Sequence, residues 1–308
     1  MSNSDGFPPL PDSQNPNPKT IRAEVLGFCM GVRRAVRMAL DASDGSCGKK
    51  VYTLGSLIHN PQVLADLESR GVAVLDEDSP LPEARGAVVV IRAHGVGPRV
   101  EARLGGLGFS LIDATCPRVK ASQLKVRSLA RAGRALFLAG ERSHAEIAGI
   151  LGYAEGAVFC EVVADAAEAE AAARNLAAKP FAWDLPPALV AQTTISQEEY
   201  SAIAAAVERH FPNLETVGTI CGATCERQES LRELLARVDA VVVIGGRESA
   251  NTRRLLAIAE SSGKPCVLAE TAADIPPGFS GFATVGITAG ASTPDFVIDE
   301  VERALGSR

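Results

Sequence analysis

One arrangement recurs three times in this chain, and it limits the folds open to it. An apolar run, GFSLID, reaches Cys116; Pro117 then stands where a helix begins, and the periodic stretch RVKASQLKVRSLARAG follows. Proline suits that first helical position because its missing N–H would have been unpaired anyway. Likewise EVLGF reaches Cys29 ahead of MGVRRAVRMAL, with Val32, Ala35, Val36, Ala39 and Leu40 on one helical face. ETVGTI reaches Cys221 ahead of a helix carrying Leu231, Leu234, Leu235 and Val238 at the same spacing. A strand-closing glycine follows each cysteine: Gly55, Gly140 and Gly245, at 26, 24 and 24 residues. Polar residues come next, in GSLIHN, GERSHAE and GGRESAN. A further strand end brings His94 in VVVIRAHGV, Thr193 in LVAQTTIS and Ser292 in VGITAGAST, offset by 65, 77 and 71 residues from the cysteines. The pattern predicts one α/β unit used three times. Open α/β sheets bind ligands at the carboxyl ends of their strands, so three such ends can converge on one site.

Strands and helices alternate along the rest of the chain, which predicts an α/β fold with largely parallel sheets. IRAEVLGF, VYTLGSL, AVVVIRAHG, LVAQTTIS, AVVVIGG, PCVLAE and ATVGITAG read as strands; DAAEAEAAARNLAAK reads as a solvated helix. The expected division is a flexible tail over 1–20, then a strand over 21–30 that leads to the first cysteine and packs with the third domain. Three α/β domains follow, at 31–115, 116–216 and 217–308. A net charge of −6 and 5% aromatic residues argue against a nucleic-acid binder. No apolar run approaches the roughly 20 residues of a membrane span, and the first residues lack the basic start and apolar centre of a signal peptide. Seven cysteines at irregular spacing do not suggest a disulfide framework; a reducing, cytoplasmic location is expected.

Cysteines at strand-to-helix junctions meet free backbone N–H groups and the positive end of a helix dipole, which stabilises a thiolate. That suits a metal or cluster ligand, or a nucleophile. Structural zinc favours close cysteine pairs, and Cys221 and Cys225 are the close pair here. A cysteine-bound iron–sulfur cluster has no such need; three thiolates on a cubane would leave one iron open. Cys225 is the rival ligand, Cys160 and Cys266 read as packing, and Cys47 in a turn-rich connection as incidental. Of four histidines, His59, His94 and His144 fall in strand-end loops, while His210 at a helix end reads as structural. With Ser249, Asn251 and Ser292 the three loop imidazoles offer donors to an anion. Glu146 beside His144 suits proton transfer. A non-catalytic anion-binding or zinc-stabilised α/β protein stands as the alternative.

GFCMGVRRAV, SLIHNPQV, RAHGV, DATCP, GERSHAEIAGILG, QTTIS, ICGATCERQ, GGRESANTRRL and GITAGASTPD resemble, in order, the signature blocks of the hydroxymethylbutenyl diphosphate reductase family. Those reductases close the methylerythritol phosphate route to isoprenoids. The resemblance implies three α/β domains in a pseudo-threefold trefoil around a central 4Fe–4S cluster held by Cys29, Cys116 and Cys221. It implies an allylic diphosphate substrate bound by His59, His94, Ser249, Asn251 and Ser292, with His144, Glu146 and Thr193 handling its hydroxyl and proton. Two departures stand out: Ala250 where many members have serine, and Met30 in place of a smaller residue. Basic residues just after the cysteines (Arg33, Arg34, Arg37, Arg118, Lys120, Arg227) suggest a landing site for an acidic ferredoxin- or flavodoxin-like electron donor.

Overall fold

The computed structural model describes residues 18–46, 48–76, 79–179 and 185–306. Cys47 and most of the segment assigned to the tail lie outside them. The described residues form three four-stranded sheets, parallel throughout. The first contains β2 (Val51–Leu54), β3 (Val72–Leu75), β4 (Val88–Ile91) and β5 (Ser110–Asp113), in the order β3-β2-β4-β5. The second contains β6 (Ala135–Ala139), β7 (Phe159–Val163), β8 (Ala188–Ala191) and β9 (Glu215–Val217), ordered β7-β6-β8-β9. The third joins β10 (Ala240–Ile244), β11 (Cys266–Ala269) and β12 (Thr284–Ala289) to the N-terminal strand β1 (Lys19–Arg22), ordered β11-β10-β12-β1. The three orders are the same. The third sheet takes its fourth strand from the beginning of the chain.

The helices are α1 (Met30–Asp44), α2 (Pro61–Ser69), α3 (Pro98–Gly106), α4 (Pro117–Arg131), α5 (Ala145–Leu151), α6 (Ala166–Ala177), α7 (Gln197–Glu208), α8 (Gly222–Leu235), α9 (Ala250–Ser261) and α10 (Asp295–Gly306). Among the described residues no helix is long and apolar enough to cross a membrane. The central strands β2, β6, β8 and β10 are buried along their whole length, which explains their unbroken apolar runs. The chain divides into two compact units. One comprises residues through Cys29, His59–Pro61 and Gly222 onward; the other comprises Met30–Ile58 and Gln62–Cys221 and holds the first two sheets.

In the first two sheets the chain leaves the two central strands towards opposite edges, and the third sheet has the same strand order with β1 on the edge beside β12. The crevice at the carboxyl ends of the central strands is a topological switch point, where open α/β sheets bind ligands. The paired ends are Leu54 with Ile91, Ala139 with Ala191, and Ile244 with Ala289. The loops just beyond carry the histidine-, threonine- and serine-bearing motifs.

The strand expected over IRAEVLGF is shorter than its sequence suggests. β1 begins at Lys19, inside the segment assigned to the tail, and ends at Arg22. The ladder breaks because Val25 N–H donates to Ser230 Oγ at 3.0 Å rather than to β12, and because Gly27 adopts φ +75°. A Cβ at Gly27 would meet Ile298 Cδ1 at 3.0 Å, so only glycine lets the chain turn there against α10. Edge strand β3 and the short 3₁₀ turns Ala272–Asp274 and Pro277–Gly281 had no sequence signal; in β3 only the two ends are buried, so alternation is lost.

Candidate active site

Each motif cysteine stands immediately before a helix: Cys29 before α1, Cys116 before α4 and Cys221 before α8. Each backbone N–H is held in the same way. Cys116 N–H donates to Ala93 O at 2.9 Å, Cys221 N–H to Thr193 O at 2.9 Å, and Cys29 N–H to Ala291 O at 3.1 Å. The three acceptors are each the second residue past a central strand, β4, β8 and β12. The repeat is therefore kept down to single backbone hydrogen bonds. All three cysteines are half-buried, each directly at the start of a helix.

In the larger unit, the Cys116 loop is braced from two sides. Arg34 Nη1 donates to Thr115 O at 3.2 Å, and Asp113 accepts from Thr115 N–H at 3.0 Å and pairs with Lys120 at 3.0 Å. Burial raises the Asp113 pKa, but the hydrogen bonds from Thr115 and Lys120 outweigh it and hold the carboxyl below its ordinary range. The first turn of α1 presses on the thiol, since a Cβ at Gly31 would stand 2.5 Å from Cys116 Sγ.

The same unit brings His94, His144, Glu146 and Thr193 together. His144 caps α5: its Nδ1 accepts from Glu146 N–H at 3.2 Å, which assigns the proton of a neutral ring to Nε2. The His94 and His144 rings meet edge to face, with centroids 5.2 Å apart. Glu146, 1% exposed, accepts from Thr193 N–H at 2.6 Å and from Thr193 Oγ1–H at 2.8 Å. Thr193 in turn holds Cys221 through its carbonyl.

The other unit carries Cys29, His59, Ser249, Asn251 and Ser292. Ser292 Oγ donates to His59 O at 3.2 Å, and the Cys29 acceptor Ala291 is the residue just before Ser292. Ser249 caps α9, accepting from Thr252 N–H at 3.3 Å. Asn251, 4% exposed, has neither its amide oxygen nor its amide nitrogen hydrogen-bonded. A buried amide left in that state implies a missing polar partner, and the start of a helix is suited to an anion.

Other candidates separate from these groups. Cys225 is exposed on α8. Burial pushes the Cys160 thiol up to about 11 and also raises Cys266, as expected of packing thiols. His210 bonds Glu170 at 2.6 Å. The basic set needs correction. Arg227 is buried, donating to Gly27 O at 2.7 Å and Ala223 O at 2.9 Å, so it stiffens the turn before Cys29. Arg34 and Lys120 are engaged with the Cys116 loop, while Arg33, Arg37 and Arg118 are exposed. Gln123, wholly buried on α4, escaped the sequence reading. It packs on Gly95 and lies near Gly149, next to the His94 loop and α5. Its only signal was a polar residue on an apolar helical face.

Switch-point loops that present half-buried cysteines, a buried carboxylate and paired imidazoles define an α/β enzyme. The sequence matches the family described as LytB protein over residues 20–306. It is 43% identical over 290 residues to the 4-hydroxy-3-methylbut-2-enyl diphosphate reductase of Treponema denticola, covering 92% of this chain and 98% of that one. The fold is similar to the E-1-hydroxy-2-methyl-but-2-enyl-4-diphosphate reductase structure from Plasmodium falciparum, with TM-score 0.82, 25% identity, and 92% and 86% coverage of the two chains. It is also similar to a structure of (E)-4-hydroxy-3-methyl-but-2-enyl diphosphate reductase, described as the terminal enzyme of the non-mevalonate pathway, with TM-score 0.67, 38% identity, and 93% and 98% coverage. The chain belongs to the LytB family and is an oxidoreductase.

Proposed function

We propose that this protein reduces 4-hydroxy-3-methylbut-2-enyl diphosphate to isopentenyl and dimethylallyl diphosphates, with Cys29, Cys116 and Cys221 holding a 4Fe–4S cluster. The three half-buried thiols at equivalent helix starts fit a cluster of that kind, whose ligands are cysteine thiolates; the trefoil arrangement around it is part of the same proposal. When bound, such a cluster would pass on the two electrons and supply Lewis acidity towards the hydroxyl oxygen. The allylic hydroxyl leaves as water, which takes one proton, and the allylic carbon skeleton takes the second as the new C–H bond.

The chain's own residues bind, orient and move protons. Ser249, Asn251, Ser292 and His59 hold the diphosphate, with the unpaired Asn251 amide supplying a donor at the start of α9. His94 completes the anion's hydrogen bonds, and His144, through Nε2–H, joins Glu146 and Thr193 in handling the allylic hydroxyl. Glu146 reaches the substrate through Thr193. When Glu146 is protonated, its acid proton is donated to Thr193 Oγ1, freeing the threonine hydroxyl proton to be donated onward. The observation that supports the reading is the run of hydrogen bonds from Glu146 to Thr193 to Cys221, the residues proposed as proton source, relay and cluster ligand. Electrons come from an acidic ferredoxin- or flavodoxin-like protein docking near exposed Arg33, Arg37 and Arg118, in the reducing cytoplasm that such thiols require.

The test is direct. Protein purified without oxygen is expected to be brown, to contain iron and sulfide, and to convert the hydroxylated diphosphate with a low-potential reductant. Colourless protein that binds zinc, or no turnover from iron-replete protein, would favour the non-catalytic alternative.

A further inference from the structure

A cleft of about 620 Å³ opens between α3 and α5, and the residues assigned above to substrate and cluster do not line it. Its volume falls within the usual range of small-ligand pockets, about 300–1,000 Å³. Three guanidinium groups line it, Arg92, Arg99 and Arg103, against one carboxylate, Glu155. That is a positive concavity in a chain of net charge −6. Arg99 and Arg103 are one turn apart on α3 and share a face. Arg92, 9% exposed, is anchored by its Nη1 on Leu54 O at 3.4 Å. The Arg99–Glu155 pair, at 3.1 Å, is formed by side chains 86% and 74% exposed, and pairs that wet contribute little. A ligand with two negative charges can displace it.

The remaining lining is apolar, chiefly Val96, Val100 and Leu151. Gly97, Gly149 and Gly152 also line it. A Cβ at Gly152 would come within 2.7 Å of Gly97 Cα, so glycines let these two segments touch. Guanidinium forks match phosphate oxygens, and an apolar wall beside them suits a short hydrocarbon.

We propose that this cleft is a second anion site, distinct from the substrate site, that takes a short-chain diphosphate ester of the product class. The assignment of that class rests on the function proposed above. The cleft also touches the machinery from behind: Ala148 and Gly149 line it from α5, whose first turn carries Glu146, and Arg92 is two residues before His94. A ligand there would therefore act on the groups that handle the proton.

Equilibrium dialysis of the cluster-loaded protein against isopentenyl diphosphate tests this. Two ligands per chain are expected for the wild type. Asn251→Ala should lose the substrate-site ligand and keep the other, whereas Arg103→Glu should weaken the other by at least about tenfold, the effect of one charge-assisted hydrogen bond, and spare the first. Arg103→Gln and Arg99→Glu serve as further variants should Arg103→Glu fold poorly. One ligand per chain, lost in Asn251→Ala and kept in all three arginine variants, overturns the proposal and leaves the substrate site standing. A single ligand with the opposite pattern supports the cleft and counts against the substrate-site assignment instead. Inorganic diphosphate, which has no hydrocarbon to bury, should bind the cleft at least about tenfold more weakly; equal affinity overturns its assignment to an ester.

Discussion

Thr193 donates both its backbone N–H and its hydroxyl to the Glu146 carboxylate, at 2.6 and 2.8 Å, so one residue occupies both carboxylate oxygens. The backbone bond locates the carboxylate and cannot be removed by changing a side chain. The hydroxyl bond can reverse, because a threonine oxygen both donates and accepts. Position and proton transfer are thus carried by different atoms of the same residue.

Glu146→Gln should therefore keep its place. The amide oxygen still accepts from Thr193 N–H and the amide nitrogen donates to Thr193 Oγ1, but no acid proton remains. Turnover is expected to fall by about 10²–10⁴-fold with substrate affinity and iron content near wild type, since general acid catalysis is typically of that size. Steady-state kinetics alongside iron analysis checks it; near-normal turnover would remove Glu146 from the reaction.

Thr193→Val keeps the backbone bonds to Glu146 and Cys221 and deletes only the hydroxyl. A relay through Oγ1 requires a fall in kcat close to that of Glu146→Gln, with rescue by Thr193→Ser. If valine is tolerated, the carboxyl reaches substrate without threonine.

Replacing Cys29, Cys116 or Cys221 by serine should strip the iron, whereas Cys160→Ser, Cys225→Ser and Cys266→Ser should retain it. Gly31→Ala provides a subtler version. Its new methyl would lie 2.5 Å from Cys116 Sγ, so the thiol must move, and reduced iron content is expected although every cysteine is intact. Iron and sulfide per chain decide both.

The exposed arginines bear on reduction. Charge reversal at Arg33, Arg37 or Arg118 should slow reduction by an acidic carrier protein, most at low salt where screening is weakest, and leave a small chemical reductant unaffected. Arg34→Glu should slow both, because its side chain holds the Thr115 carbonyl beside Cys116.

Acid stability should depend on Glu170. Hydrogen bonds from His210, then from Arg209, hold its carboxyl down at about 2 against an ordinary 4.5. A carboxyl depressed by folding binds fewer protons in the native state. Its contribution is thus present above pH 4.5 and is lost as pH falls from 4.5 towards 2. Glu170→Gln should flatten that part of the stability curve in urea titrations. An unchanged acid limb would mean that water screens the pair.

Much of this architecture is written in local pattern. The cysteine-to-helix junctions, the glycines closing β2, β6 and β10, and the unbroken apolar runs of the buried strands follow from short-range geometry and from burial on both faces. These are properties a single stretch of chain carries by itself. The candidate site residues were legible for the same reason, since each sits at a strand end or a helix cap. What tertiary structure decided lies between stretches distant in sequence. Packing of β1 with the third domain is expected from the sequence, but its pairing with β12 across more than two hundred residues, and the register of that pairing, are set by no local signal. Arg227, a helix-surface charge by sequence, is buried because the carbonyl of Gly27 needs a donor. Gln123 and Arg34 acquire their roles from loops they do not adjoin. Periodicity reports which face of an element is buried; only packing reports what that face meets.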